Sequence, residues 1–289
     1  MVKRELDEVS GTETTGHEWD GIKELDNPMP RWWLWAFIIS IVWGVIYMAA
    51  YPAWPLITEA TKGFLGYSSR AELADTMNAV QVSRQKYINS INALSLEEIR
   101  NDSELARFAY AGGKSAFAVN CSQCHGSGAA GSAGYPNLND DNWLWGGSLT
   151  DIQTTISHGI RFEQDDDTRF SEMPAFGGDE ILDRTQIGQV ADYVLSLSKR
   201  QHDFENATAG AKTYADNCAA CHGDTGQGDR EQGAPQLSNV LWLYGNEKAD
   251  IIAQISRPKH GVMPAWGERL DATTIKQLTI YVHALGGGE

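Results

Sequence analysis

Two short stretches hold every cysteine of this 289-residue chain: Cys121-Ser122-Gln123-Cys124-His125 and, ninety-seven residues later, Cys218-Ala219-Ala220-Cys221-His222. C-x-x-C-H is the attachment pattern of a c-type haem. Thiols one helical turn apart reach the two vinyl groups of one porphyrin, and the next residue sets an imidazole under the iron. A lone C-x-x-C also fits a redox dithiol or half of a zinc site. A zinc site gathers four Cys/His ligands at compact spacing, however, and these two clusters lie far apart, each with its own His. No cysteine remains for a disulfide.

A second repeated element supports the haem reading. Met173-Pro174-Ala175-Phe176-Gly177 follows the first cluster and Met263-Pro264-Ala265-Trp266-Gly267 follows the second. Iron held by Met and His is the ligation of electron-transfer cytochromes c, in which the thioether raises the potential. His158 and His260 precede the two methionines at equivalent places and compete with them as iron ligands. The Met-Pro repeat favours the thioethers, which leaves both histidines structural, with a haem propionate as one partner.

Around these residues the chain repeats itself. Phe117 and Tyr214 each lie four residues before a first cysteine, and Pro136-Asn137-Leu138 answers Pro235-Gln236-Leu237. Trp143 answers Trp242, and Asp151-Ile152 with Ile156 answers Asp250-Ile251 with Ile255. After each Met-Pro an amphipathic stretch (182–197 and 270–285) carries a Tyr-Val pair, Tyr193-Val194 and Tyr281-Val282. An aromatic on the helix entering each attachment motif meets another on a closing helix. The expectation is the small all-α cytochrome c plan, present twice, over residues 104–200 and 201–289. Each copy is too short for a generous core of its own, so the porphyrin must supply apolar volume. The first copy carries an insertion between His158 and Met173 with Asp165-Asp166-Asp167, which reads as a solvated loop or as a docking patch for a basic electron donor.

The formal net charge of −15 argues against nucleic acid and toward basic or membrane-bound partners. Residues 1–31 read as a polar tail without a core. No charged residue occurs from Trp32 to Thr58. A helix over 32–53 is long enough to cross a hydrocarbon layer of about 30 Å. Tryptophans at its entrance, with Tyr51 and Trp54 at its exit, form aromatic belts, and Pro52 and Pro55 end it. A signal peptide has a shorter apolar core and a small-residue cleavage site. Flanking Lys and Arg tie, so orientation follows from chemistry: covalent haem attachment belongs outside the cytoplasm. This places the short tail in the cytoplasm and the large C-terminal part outside it. Residues 54–103 read as a helical linker, with Leu73, Met77, Val80, Tyr87, Ile91 and Leu94 on one face and a capping box at Ser95-x-x-Glu98. That stripe serves a spacer or a docking surface for a partner subunit.

Nearly the full length resembles the membrane-anchored diheme subunit III of cbb3-type cytochrome c oxidases. The resemblance rests on Trp19-Asp20-Gly21-Ile22-x-Glu24-Leu25-x-Asn27-Pro28-Met29-Pro30-Arg31-Trp32-Trp33, on Tyr51-Pro52, and on the tandem C-x-x-C-H and Met-Pro-Ala-aromatic-Gly motifs. Some relatives look to have a further N-terminal span. The resemblance implies an electron relay from a soluble periplasmic cytochrome c toward the haem-copper oxygen-reducing subunit, beside a monohaem cytochrome c subunit. It implies two covalently bound haem c groups, on Cys121, Cys124 and His125 and on Cys218, Cys221 and His222, with Met173 and Met263 as sixth ligands. The simplest pairing lies within each copy, Met173 with His125 and Met263 with His222; the tether also permits an exchange. With both axial places filled, neither iron has room for oxygen, so the chain carries electrons and has no catalytic residue. Two other readings are a free-standing membrane diheme carrier for another reductase, which lacks the Trp19–Trp33 segment, and a diheme peroxidase-like enzyme, which needs a five-coordinate haem.

Overall fold

The computed structural model describes residues 4–289, so the first three residues of the expected tail lie outside the described residues. The chain divides into two units, residues 1–83 and 84–289.

In the first unit the tail is more ordered than its polar composition suggests. Strands β1 (Thr14–Trp19) and β2 (Ile22–Leu25) pair antiparallel. Asp20 and Gly21 join them with φ of 51° and 85°, the pair of positive angles that a tight two-residue hairpin turn demands. Thr14 is its buried residue, so the hairpin has almost no core of its own. Helix α1 (Arg31–Ala50) starts behind Pro30 and carries apolar side chains exposed on all faces. It is long and apolar enough to cross a membrane, and a helix apolar all round needs a nonaqueous surrounding. Its last carbonyls are capped by the returning chain: Phe64 N donates to Ala49 O and Leu65 N to Ala50 O. Gly63 makes that return possible, because a Cβ there would lie 2.2 Å from Ala50 O.

Helix α2 spans Ser69–Ala93. Its apolar stripe is used only at the far end. Ile91 is buried and Tyr87 and Leu94 pack beside it, whereas Leu73, Met77 and Val80 are exposed. The expected capping box forms, with Ser95 and Glu98 bonded reciprocally at the start of α3 (Leu96–Asn101). Helix α4 (Ser103–Asn120) is capped by Asp102 and leads into the one-turn α5 (Ser122–His125). Helices α6 (Leu149–His158) and α7 (Arg184–Leu197) complete the first copy. Helices α8 (Phe204–Asn217), α9 (Ala219–His222), α10 (Lys248–Ser256) and α11 (Ala272–His283) form the second.

The copies do not close on themselves. α4 and α6 pack against α11, while α8 and α10 pack against α7. Each attachment motif is therefore covered by the closing helix of the other copy. One core unites Phe117, Ile152 and Ile156 with Ile275, Leu278 and Tyr281. The other unites Ile187, Val190 and Val194 with Tyr214, Cys218, Ile251 and Ile255. Both crossings are close. A Cβ on Gly113 would lie 2.1 Å from Gln277 O, and one on Gly210 would lie 2.2 Å from Gln189 O. Glycine at these places lets two backbones approach where any side chain would hold them apart.

Candidate haem-attachment sites

Each motif is a one-turn helix set at the end of a longer one. Cys121 N bonds Phe117 O at 2.9 Å and His125 N bonds Cys121 O at 3.0 Å. In the second copy Cys218 N bonds Tyr214 O at 2.8 Å and His222 N bonds Cys218 O at 2.9 Å. Gly126 and Gly223 then leave with φ of 79° and 76°, a conformation that costs glycine little. The helical turn brings both thiols of each pair to one side, with the imidazole following.

The two imidazoles are oriented alike. His125 Nδ1 lies 3.1 Å from Pro136 O, and His222 Nδ1 lies 3.0 Å from Pro235 O. A carbonyl accepts only, so Nδ1 carries the proton and Nε2 keeps its lone pair, the arrangement typical of a metal-ligating His. Burial depresses the pKa of both imidazoles, against a smaller upward pull from the proline carbonyls. Burial thus favours the neutral form of each imidazole. Burial also pushes the Cys121 and Cys218 thiols up to about 11, while Cys124 and Cys221 are exposed.

The methionines change partners with the closing helices. Met263 packs with the core that holds Cys121 and Phe117, and Met173 with the core that holds Cys218 and Tyr214. Of the two pairings the sequence leaves open, each methionine thus packs beside the attachment motif of the other copy. The loops bearing the methionines are stitched across copies. Met263 N donates to Ile160 O at 3.0 Å, Ile160 N to Met263 O at 2.9 Å, and Gly267 N to Ser157 O at 2.9 Å. Reciprocally, Gly178 N donates to Ser256 O at 2.9 Å, and Met173 N to His260 Nε2 at 3.2 Å. His260 thus props the Met173 loop. His158 instead faces the acidic insertion, its Nδ1 3.2 Å from Asp165.

Two buried donors lack a hydrogen-bond partner among the described residues, Arg169 Nε and Trp242 Nε1. Trp242 packs on the core around Cys218, and Arg169 lies over Trp145 while its Nη2 bonds Asp151 at 3.0 Å. A buried unpaired N–H is costly. A porphyrin carboxylate is the acceptor that such donors fit, so the residues present suit a haem. Trp143, the counterpart of Trp242, instead donates to Gly287 O in the C-terminal tail. Gly113, Gly210, Arg161 and Arg169 escaped the sequence reading. For the two glycines a signal was present, since each lies four residues before the aromatic that precedes a motif.

Known proteins resemble this chain along its whole length. A family profile described as the N-terminal domain of cytochrome oxidase-cbb3, FixP, matches residues 11–58. Cytochrome c matches residues 110–198, and cytochrome c oxidase, cbb3-type, subunit III, matches residues 205–282. The cbb3-type cytochrome c oxidase subunit FixPc of Rhizobium leguminosarum bv. viciae is 56% identical over 288 residues, covering 100% of both chains. Subunit FixP of Rhizobium etli is 54% identical over 288 residues, again covering 100% of both. Subunit CcoP of Cereibacter sphaeroides is 50% identical over 280 residues, covering 96% of this chain and 95% of that one. With an anchor helix, cytochrome c domains that bind haem c and relatives matched from end to end, the chain belongs to the FixP/CcoP family of cbb3-type cytochrome c oxidase subunits.

Proposed function

We propose that this chain is the diheme electron-relay subunit of a cbb3-type oxidase. It passes electrons from a soluble periplasmic cytochrome c toward the haem-copper subunit, beside a monohaem cytochrome c subunit. The observation that carries the reading is the duplicated site: two attachment turns, each with its imidazole tied through Nδ1 to a proline carbonyl and a Met-Pro loop on the same core. Bound haem supplies a one-electron ferric/ferrous couple. The protein's residues do the rest.

Cys121 and Cys124 would hold the first haem and Cys218 and Cys221 the second, with His125 and His222 each offering Nε2 to the iron. The packing supports an exchange of sixth ligands: Met263 would serve the haem held by Cys121 and Cys124, and Met173 the haem held by Cys218 and Cys221. The buried aromatics Phe117, Tyr214 and Tyr281 exclude water from these sites. A dry site makes reduction to the less charged state easier and, with thioether ligation, sets a high potential. Helix α1 anchors the chain in the bacterial inner membrane, with the tail in the cytoplasm and the haem domains in the periplasm. Affinity purification of the full chain from membranes tests the proposal. Expected are a haem-copper subunit in the eluate and two covalently fixed haems per chain. A chain that elutes alone with two haems is a free-standing carrier; one whose haem, once reduced to the ferrous form, binds carbon monoxide tightly belongs with diheme enzymes.

A further inference from the structure

The insertion that distinguishes the first copy holds more than its acidic triplet. Arg161, half-buried at its start, sits between the two methionine loops. Its Nε donates to Gly261 O at 2.8 Å, and its Nη1 donates to Ser171 O at 2.8 Å. Gly261 lies two residues before Met263 and Ser171 two residues before Met173. One guanidinium therefore grips the same backbone position ahead of both methionines. The planar fork suits this task because its donors are fixed relative to each other, which a lysine ammonium cannot reproduce. Arg161 also has a φ of 51°, an uncommon backbone state for a residue with a side chain and one that persists only where the surroundings hold it. They do hold it: Arg161 N donates to Arg169 O, and the adjoining Ile160 exchanges two backbone bonds with Met263. The second copy, with His260-Gly261-Val262-Met263 and no insertion, has no equivalent residue.

We propose that Arg161 is a positioning residue that fixes both axial methionines together, so that the sixth ligands of the two haems are held or released as a pair. This rests on Met173 and Met263 being the sixth ligands. The test uses full-length, haem-loaded protein carrying Arg161→Met, Arg161→Lys or His260→Phe. The ferric near-infrared sulfur-to-iron band reports Met ligation, and carbon monoxide binding by the ferrous form counts open iron sites. Arg161→Met is expected to lose band intensity and open iron at both haems in parallel. Arg161→Lys, which keeps the charge without the fork, restores at most one haem. His260→Phe, which removes the acceptor for Met173 N, affects one haem only. Both bands intact in Arg161→Met, or both fully restored by lysine, overturns the proposal. A missing band in the unsubstituted protein overturns the ligation reading itself and the proposal with it. Should Arg161→Met fail to load two haems, the lysine variant decides alone: loss of the paired behaviour supports the fork, and wild-type spectra refute it.

Discussion

Phe117, on the helix entering the first attachment motif, lies with its ring 5.3 Å from that of Tyr281 on the last helix of the chain. The matching contact joins Tyr193 of the first copy to Tyr214 of the second at 4.9 Å. Aromatics do meet at a helix crossing, as the repeat implies, but each crossing is made between copies. The two halves are consequently interdependent: neither attachment site has a complete core without a helix from the other half.

Interdependence should show in stability. Gly113→Ala drives a methyl into the backbone of α11, and Gly210→Ala does the same to α7. Backbone cannot swing aside as a side-chain end can, so each change is expected to cost ~1–3 kcal/mol, as overpacking typically does. Denaturant unfolding of the haem-loaded protein checks this, and an unchanged midpoint would refute the close crossing.

Haem removal should unfold the cytochrome region. Small domains that bury a modest apolar area depend on added staples, and here the porphyrin supplies that volume. With Cys121, Cys124, Cys218 and Cys221 all changed to alanine, far-ultraviolet circular dichroism is expected to lose most helix contributed by α4 to α11. Native-like helical signal in that variant contradicts the expectation.

The last helix carries a pH-dependent cap. Asp271 accepts from Thr274 N at 3.0 Å and from Thr274 Oγ1 at 2.6 Å, and the threonine hydroxyl is the leading cause of its lowered pKa. A depressed carboxylate stabilises the fold above its ordinary value of 3.8, and that stabilisation is lost as pH falls through the lowered folded value. Asp271→Ala is therefore expected to cost ~1 kcal/mol at neutral pH, with the gap to wild type closing under acid conditions. A gap that is constant with pH rules out the ionised cap.

The acidic insertion divides unequally. Asp165 is engaged by His158, whereas Asp166 and Asp167 are exposed. If these two steer a basic donor, Asp166→Asn with Asp167→Asn flattens the ionic-strength dependence of electron uptake from a soluble cytochrome c. An unaltered salt dependence removes the loop from donor docking.

Much of this was legible in residue order. The candidate attachment motifs and methionines follow from local spacing, as do the long apolar helix and the Ser95 capping box, which the structure shows. The exchange was not legible, because Tyr193-Val194 and Tyr281-Val282 present the same pattern, so either closing helix suits either motif. The hairpin at Asp20-Gly21 was masked by the polarity of its strands, and the stripe on α2 looked continuous because periodicity does not reveal where burial stops. Arg161 left no trace in the sequence, since its partners are carbonyl oxygens, which every residue offers.

The exchange of methionines is tested most directly in a chain that keeps one attachment site, with Cys218, Cys221 and His222 changed to alanine. The ferric near-infrared sulfur-to-iron band of its single haem is then measured after Met263→Ala and, separately, after Met173→Ala. The band should vanish with Met263→Ala and survive Met173→Ala; loss with Met173→Ala and survival with Met263→Ala would place each methionine in its own copy and contradict the exchange.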